Sequence, residues 1–434
     1  MLELMKYSLH DALSRRNFFA RLTRAGVTAA TAPTLLELFA ATALAHEQQE
    51  QRQDAKRQTL ETKTSFWKWI ESEGIPIYQG YTVADLNQSK LGPWKRLGVQ
   101  GAIVYLHGDG GLVSGYLAEM EPGKKTATEK HMYEEHMFVL SGSGETRVWY
   151  EGKPRVMAKW KAGSLFSIPV NATHEHVNTG STPARLFGAT TAPLIIDLYR
   201  NLDFVFNNNF HFTDRFNSQP NFYDPELAKT TPPEGQKYAF SQTNLIPDVL
   251  TQKLYVSSGH GMIGSGVGMA NHHFTMAGDM LDAHIEEAPS GVYERGHRHA
   301  AGSNVLIVQG TGYSLIWPPE LGRNPFRDGH GDKVVRVPFQ PGTLFVPPLG
   351  WFHQHFNTGA TPMRFVKVIG FGSRVYPLTS YEIFLPGAIT IEYGDEDPKI
   401  REMFEAELQK NGVRSLMPSV EELSRQKAEH KHNK

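Results

Sequence analysis

The twelve residues His174-Glu175-His176-Val177-Asn178-Thr179-Gly180-Ser181-Thr182-Pro183-Ala184-Arg185 return 179 positions later as His353-Gln354-His355-Phe356-Asn357-Thr358-Gly359-Ala360-Thr361-Pro362-Met363-Arg364. Further upstream, Gly142-Ser143-Gly144 with Trp149 matches Gly310-Thr311-Gly312 with Trp317 at an offset of 168. A chain that spells one pattern twice builds one structure twice. The growth of the offset from 168 to 179 places 11 extra residues in the second copy. Pro318 to Asp332, rich in Pro, Gly and Asn, reads as the loop that holds them. Because the copy keeps two histidines at i and i+2 ahead of an Asn-Thr-Gly turn, it repeats a site as well as a fold.

A length of 434 residues exceeds what one hydrophobic core usually supports, which agrees with two domains. With 21% charged residues and a net charge of −1, no electrostatic footprint for nucleic acid is present. No apolar run is long enough for a mature membrane span. The chain has no cysteine, which excludes disulfides and thiolate sites and leaves histidine and carboxylate as the ligands for any metal. Near the start, Ser14-Arg15-Arg16-Asn17-Phe18-Phe19 precedes a weakly apolar stretch that ends at Ala43-Leu44-Ala45. That pattern is similar to a twin-arginine export signal, and implies the twin-arginine machinery as a partner and a periplasmic or secreted destination. The alternative is a chance arginine pair ahead of an amphipathic helix. Pro33 and Glu37 argue against a buried helix or a membrane anchor there.

The expected organisation is a signal at 1–45, an N-terminal arm at 46–97, a first domain at 98–200, a linker at 201–255, a second domain at 256–375 and a helical extension at 376–434. Within the arm, 46–63 is rich in Gln, Glu and Lys and reads as a polar helix or spacer. Short runs such as Ala102–Leu106, Met137–Leu140, Arg147–Tyr150, Ser164–Ile168 and Arg185–Gly188, parted by turn residues, predict antiparallel strands in a sandwich or barrel. At the C-terminus Asp397-Pro398 predicts a helix start, Ile400, Met403, Phe404 and Leu408 its buried face, and Asn411-Gly412 its end. Ser419-x-x-Glu422 has capping-box form. These helices are expected to pack outside the barrels and carry no chemistry.

Residues i and i+2 of a strand share a face, so His297-Arg298-His299 turns two imidazoles to one side, and a later strand can add His353. The second half reads Gly291-x5-His297-x-His299-x3-Ser303-x6-Gly310 and Gly342-x5-Pro348-x-Gly350-x2-His353-x3-Asn357; the first reads Gly123-x5-Glu129-x-His131-x3-Glu135-x6-Gly142 and Gly163-x5-Pro169-x-Asn171-x2-His174-x3-Asn178. Both resemble the two-part motif of the cupin superfamily, at nine and eight of ten positions. The departures are Ser303 in place of a metal-binding Glu, Glu129 in place of the first His, and Asn171 in place of a Gly. The resemblance covers about 98–195 and 270–375 and implies an all-β bicupin: two tandem jelly-roll β-barrels with flanking helices. It implies His297, His299 and His353 as metal ligands in the second barrel, and Glu129, His131, Glu135 and His174 as a metal set or a polar network in the first. An isolated pair of histidines in a strand is more often solvated or hydrogen-bonded than ligating; matching spacing across both halves is what sets these apart.

Three neutral imidazoles leave a divalent ion's charge uncompensated and coordination positions open, which favours an anionic chelating substrate with room for dioxygen. Glu129 and Glu135 would cancel that charge in the first barrel, making its ion a structural plug. Around His297-Arg298-His299 and Trp351-Phe352-His353-Gln354-His355-Phe356-Asn357, the chain resembles gentisate and hydroxynaphthoate ring-cleaving dioxygenases. That resemblance implies Fe(II), with His355 a polar neighbour of the substrate and Trp351 a ring packed against it, although a core position is the commoner fate of a tryptophan. His176 and His355 read equally as imidazoles that orient a ligand or as rim residues. Parity places His136 outside the site and turns Arg298 outward; the adjacent His272 and His273 receive no role. Two further readings stay open: a Mn(II)-dependent bicupin decarboxylase or isomerase, and a non-catalytic cupin that binds a small ligand or metal.

The export reading has a direct check. Replacing Arg15 and Arg16 by Lys should trap the uncleaved precursor in the cytoplasm, and cleavage of the parent should follow Ala45. Undiminished export in a fractionation assay would remove the twin-arginine assignment.

Overall fold

The computed structural model describes residues 63–232, 239–256, 266–278, 280–298, 303–369, 390–419 and 422. The proposed signal, the spacer up to residue 62, and His299 lie outside them. From Ser65 onward the chain forms one compact unit.

The first barrel starts with β1 (Ile77–Tyr78), β2 (Thr82–Val83), β3 (Gly92–Trp94), β4 (Val99–Val104) and β5 (Ser114–Met120). It continues through β6 (Glu135–Ser141), β7 (Ser143–Trp149), β8 (Val156–Lys161), β9 (Leu165–Ile168), β10 (Thr173–Asn178) and β11 (Ala184–Thr190). After β12 (Lys229–Thr231), β13 (Phe240–Gln242), β14 (Leu245–Ile246) and β15 (Tyr255–Val256), the second barrel runs through β16 (Ala270–Thr275), β17 (Asp282–Ala288), β18 (Gly296–His297) and β19 (Ser303–Gln309). It closes with β20 (Gly312–Trp317), β21 (Val335–Phe339), β22 (Leu344–Phe345), β23 (Phe352–Asn357), β24 (Met363–Ile369) and β25 (Thr390–Ile391). The predicted strands are all found: β6 and β11 run past both predicted ends, β4 and β7 start three and four residues earlier and stop short of the predicted end, and β9 starts one residue later.

One sheet has the order β1-β4-β5-β11-β6-β9-β14 and its counterpart β12-β13-β16-β17-β24-β19-β22-β2, with β12 an added edge strand; the small sheets run β10-β7-β8 and β21-β20-β23-β18-β25. The repeat is therefore faithful strand by strand, including a bulge at Arg185/Leu186 and again at Ile307/Gln309. Two short strands trade places. β2, from the arm before the first barrel, pairs with β22 of the second, whereas β14, from the segment before the second barrel, pairs with β9 of the first. The segment 201–255, read from sequence as a linker, thus supplies strands to both sheets.

Alternation explains the layers. In β8, Val156, Ala158 and Trp160 are buried while Met157, Lys159 and Lys161 are exposed, so only one of its faces is covered. The large sheets are covered on both faces. Leu117, Phe138, Phe187 and Ala189 from the first meet Phe274, Ile285, Leu306 and Val366 from the second in a shared core. Residues of the opposite parity, such as Tyr116 and Met137, or Val305 and Phe365, line the two interiors. Each large apolar side chain in the shared core contributes about 1.5–3 kcal/mol.

The last residue of the sequence repeat ties down the exchanged strands. Arg185 lies 2.7 Å from Glu119 and donates to the carbonyls of Leu86, Asn87 and Ser89. Arg364 lies 3.1 Å from Glu287 and donates to the carbonyls of Val249, Leu250 and Gln252. Beside them Gly163 accepts from Val249 and Gly342 from Leu86; a side chain at Gly342 would meet Asp85 at 2.4 Å, in a backbone of φ +93°.

Helix α1 (Ser65–Ser72) buries Phe66, Trp69 and Ile70 in the first barrel's core, so this part of the arm belongs to that barrel. Helices α2 (Ala192–Tyr199) and α3 (Leu202–Asn207) follow β11, and Val205 of α3 joins the same core. Helix α4 (Pro398–Asn411) has the predicted bounds: the Asp397 side chain caps it, Ile400, Phe404 and Leu408 are buried, and Gly412 ends it with φ +66°. The Ser419–Glu422 capping box also forms. The extension is not merely external, because β25 pairs with β18, placing Thr390 opposite His297. Glu396 further accepts from Tyr293, four residues before that histidine, and from Gln354, on the adjacent β23.

Arg364→Ala should lower unfolding free energy by about 2–4 kcal/mol in urea melts, because it strands several carbonyls that a charged donor now satisfies. Arg185→Ala should behave alike. A loss below about 0.5 kcal/mol for both would show that the exchanged strands hold without these clamps.

Candidate metal centres

In the first barrel an isolated bridge pairs Glu129 with His174, bringing the two halves of the motif together. His131 Nδ1 lies 2.9 Å from the Tyr133 carbonyl and His174 Nδ1 lies 3.1 Å from that of Ala172. A carbonyl only accepts, so each neutral ring carries its proton on Nδ1 and leaves Nε2 with a lone pair. Both Nε2 atoms are buried and have no hydrogen-bond partner among the described residues. They face carboxylates: Glu135 lies 3.5 Å from His131 Nε2 and 4.0 Å from His174 Nε2, and Glu129 lies 3.7 Å from His174 Nε2. The ligand atoms of Glu129, His131 and His174 all fall within 4.8 Å of one another. Two imidazoles and two carboxylates fit a divalent ion and neutralise it.

The surroundings hold this set in place. Tyr116 donates to Glu135 at 2.9 Å, and Arg96 stands 3.4 Å from Glu129. Burial by itself would raise the Glu129 carboxyl, but His174, His131 and Arg96 outweigh it and hold the group down at about 2. Burial works against protonating His174 as well, yet Glu129 and Glu135 raise it above its ordinary value. Proton and metal therefore compete for its Nε2, and metal uptake here releases a proton. His176 donates to or accepts from Thr146 at 2.7 Å and sits 5.6 Å from His174; burial and that neighbour push it down to about 4. It thus faces inward on a cross-strand hydroxyl rather than lying on the rim. His136 is outside the set, paired with Glu134 at 3.1 Å.

A cavity of about 20 Å³ adjoins Glu129 and Glu135, lined by Phe66, Trp69, Trp94 and Tyr133. That volume admits about one water molecule. The first centre is roofed by the arm.

In the second barrel His297 and His353 are directly paired across β18 and β23, with ring centroids 4.2 Å apart. The same device sets their tautomers: Nδ1 lies 3.0 Å from the Arg295 carbonyl and 3.1 Å from that of Trp351. Ser303 occupies the register position of Glu135, at the start of its strand and opposite the end of β24 as Glu135 is opposite the end of β11. It is buried and offers no carboxylate. His355 matches His176, with Ser314 at 2.8 Å in the place of Thr146. The Trp351 ring lies 6.0 Å from Tyr81 of the arm, and Arg298 lies over Phe352 in keeping with its outward parity.

Several interior groups were invisible as site residues in the sequence. Register aligns Ile103, Tyr116, Ala118 and Gly188 of the first barrel with His273, His284, Glu286 and Lys367 of the second. Glu294, which takes the place of Thr126, is buried with its carboxyl 3.9 Å from His355 Nε2, and neither carboxyl oxygen has a hydrogen-bond partner among the described residues. Burial pushes its carboxyl well above the ordinary range. The signal was the alternation Asp282-Ala283-His284-Ile285-Glu286, which ordinarily means a solvated face; here that face is the barrel interior.

Residues 116–190 match the cupin domain family, and the second barrel repeats that domain strand for strand. The fold is a bicupin, two cupin barrels in one chain. No curated protein matches its sequence. Among solved structures, this bicupin is similar to a tryptophan-to-tyrosine variant of oxalate decarboxylase from Bacillus subtilis, at 11% identity, TM-score 0.40, and 71% of this chain against 84% of that one. It is also similar to a Bacillus subtilis oxalate decarboxylase studied for its Mn(II) centres, at 11% identity, TM-score 0.39, and 67% of this chain against 77% of that one. Likeness at these values carries no argument about chemistry.

The depressed Glu129 carboxyl gives the bicupin a defined acid response. A carboxyl held at about 2 rather than 4.5 adds stability that is fully present above pH 4.5 and is lost as pH falls toward 2. In the metal-free protein, Glu129→Gln should cost about 2–3 kcal/mol at neutral pH and flatten the stability profile through that window. A profile of unchanged slope would contradict the ion-pair account.

Proposed function

We propose that this bicupin is an exported, metal-dependent dioxygenase that acts in its second barrel on a small oxygen-rich molecule, aromatic or enolic, with Fe(II) held by His297, His299 and His353. The observation that carries the reading is the contrast between the centres. In the first, carboxylates match the charge of an ion and the adjoining space is about 20 Å³. In the second, imidazoles face each other with Ser303 where a carboxylate would stand. A divalent ion bound by neutral ligands supplies Lewis acidity and open positions suited to an anionic chelating substrate and dioxygen. Export in the folded state would let the ligand set, rather than external copper or zinc, select the metal.

The chain's own groups complete the reading. The carbonyls of Arg295 and Trp351 fix the tautomers of His297 and His353. Ser314 Oγ holds the His355 ring through Nδ1 at 2.8 Å, and Nε2 of that ring lies 3.9 Å from Glu294. Burial raises the Glu294 carboxyl well above its ordinary range, which favours the acid form, and in that form it would offer a proton to a substrate oxygen. Trp351, whose ring lies 6.0 Å from Tyr81 and whose carbonyl holds His353, would pack its ring against the substrate.

The test is oxygen uptake by the iron-loaded protein with a panel of hydroxylated aromatic acids and enols. His353→Ala should lose second-barrel metal and reduce turnover by at least about a hundredfold, on the scale expected for removing a metal ligand's Lewis acid. His131→Ala should spare turnover and lower the melting temperature. Equal loss in both folded variants would instead favour two cooperating sites, and carbon dioxide release without oxygen uptake would favour the manganese decarboxylase reading.

A further inference from the structure

The second barrel contains another convergence of metal-ligating side chains, on the wall made by β16, β17 and β24. His273 is paired with His284 across β16 and β17, and Asp282 lies two residues before His284 on the same face. One ligand atom from each of these three lies within 4.8 Å of the others. Modest side-chain rotation would bring such a set to the 2.0–2.2 Å bonds of a first-row divalent ion. A cluster of this kind can be a hydrogen-bonded network with no ion, so the state of its most buried member decides.

His284 is that member. Its Nε2 lies 2.9 Å from Glu286, and Glu286 lies 3.1 Å from Lys367 Nζ. A carboxylate accepts, so it draws the imidazole proton to Nε2 and leaves the lone pair on Nδ1. That Nδ1 is buried and has no hydrogen-bond partner among the described residues. A carboxylate on one nitrogen and a metal on the other is the arrangement that orients ligating histidines. Lys367 balances Glu286 and keeps Asp282 as the carboxylate that faces the ion. The first barrel carries Ile103, Ser114 and Tyr116 at the three positions, so this donor set belongs to the second barrel only.

We propose that His273, Asp282 and His284 form a second divalent-metal site in the second barrel, distinct from the one on His297, His299 and His353. Its two imidazoles and one carboxylate suit Zn(II) or Fe(II) and leave positions for water or a ligand.

Zn(II) is the probe. Crystals of the full chain, stripped and soaked in Zn(II), should give anomalous density at the zinc edge between His273, Asp282 and His284. In solution, His284→Gln and Asp282→Asn should each bind one equivalent of Zn(II) fewer than the parent, while His353→Ala should keep the peak on this wall and lose the one beside His297. No anomalous density at this wall in the saturated parent, with His284→Gln binding as many equivalents as the parent, would overturn the site. Loss of the His297 peak alone would bear on the dioxygenase proposal and leave this one standing.

Discussion

Everything in this molecule depends on the packing of the two large sheets against each other. Leu117 and Phe187 on one side and Ile285 and Val366 on the other share one apolar core, so alternate residues of those strands are committed to the interface. The remaining parity must then line the barrel interiors, and chemistry is confined to it. Tyr116, Glu135, His284, Ser303 and Lys367 all sit there because their neighbours in sequence are needed between the barrels. Exchange of β2 and β14 makes the commitment mutual, since each barrel's sheet is finished by a strand that precedes the other.

Within that shared frame the two interiors have diverged by charge. Both keep histidines whose Nδ1 is tied to a main-chain carbonyl two residues away, a link that needs only the strand backbone and survives substitution around it. What differs is the company. The first centre is surrounded by carboxylates, Arg96 and an aromatic roof, and its charges close on themselves. The second has lost the carboxylate at Ser303 and acquired ionisable groups one strand away, at Glu286, Glu294 and Lys367. Coulombic balance, rather than backbone geometry, separates a centre that can be sealed from one that must recruit a charge.

The segments outside the barrels shape both centres. Helix α1 supplies Phe66 and Trp69 to the roof over Glu129, and β25 pairs with the strand of His297. Asp397 caps α4 through Lys399 and also accepts from the backbone of Phe326 and Arg327, so one carboxylate fixes both the helix and the loop inserted in the second copy. The terminal extension is thereby a brace for the strand that carries His297.

Much of this was legible in the sequence, because strands are read by period two and turns by glycine and asparagine. The doubled motif determined two barrels of one topology and the inward His174 and His353, and the cap residues determined the bounds of α4 from Asp397-Pro398 to Gly412; the motif left His176 and His355 open between the interior and the rim. Asn171 could stand for glycine because it adopts φ +56°, where Gly350 has +74°. The sequence could not determine which barrel receives β2 and β14, since two-residue strands carry no register of their own. Nor could it place His273, His284, Glu286, Glu294 and Lys367 inside, because an alternating polar face reads as solvated until a barrel closes over it. Periodicity is local and survives in one dimension; enclosure is a property of the closed surface, and only the tertiary structure decides which side of a strand is within.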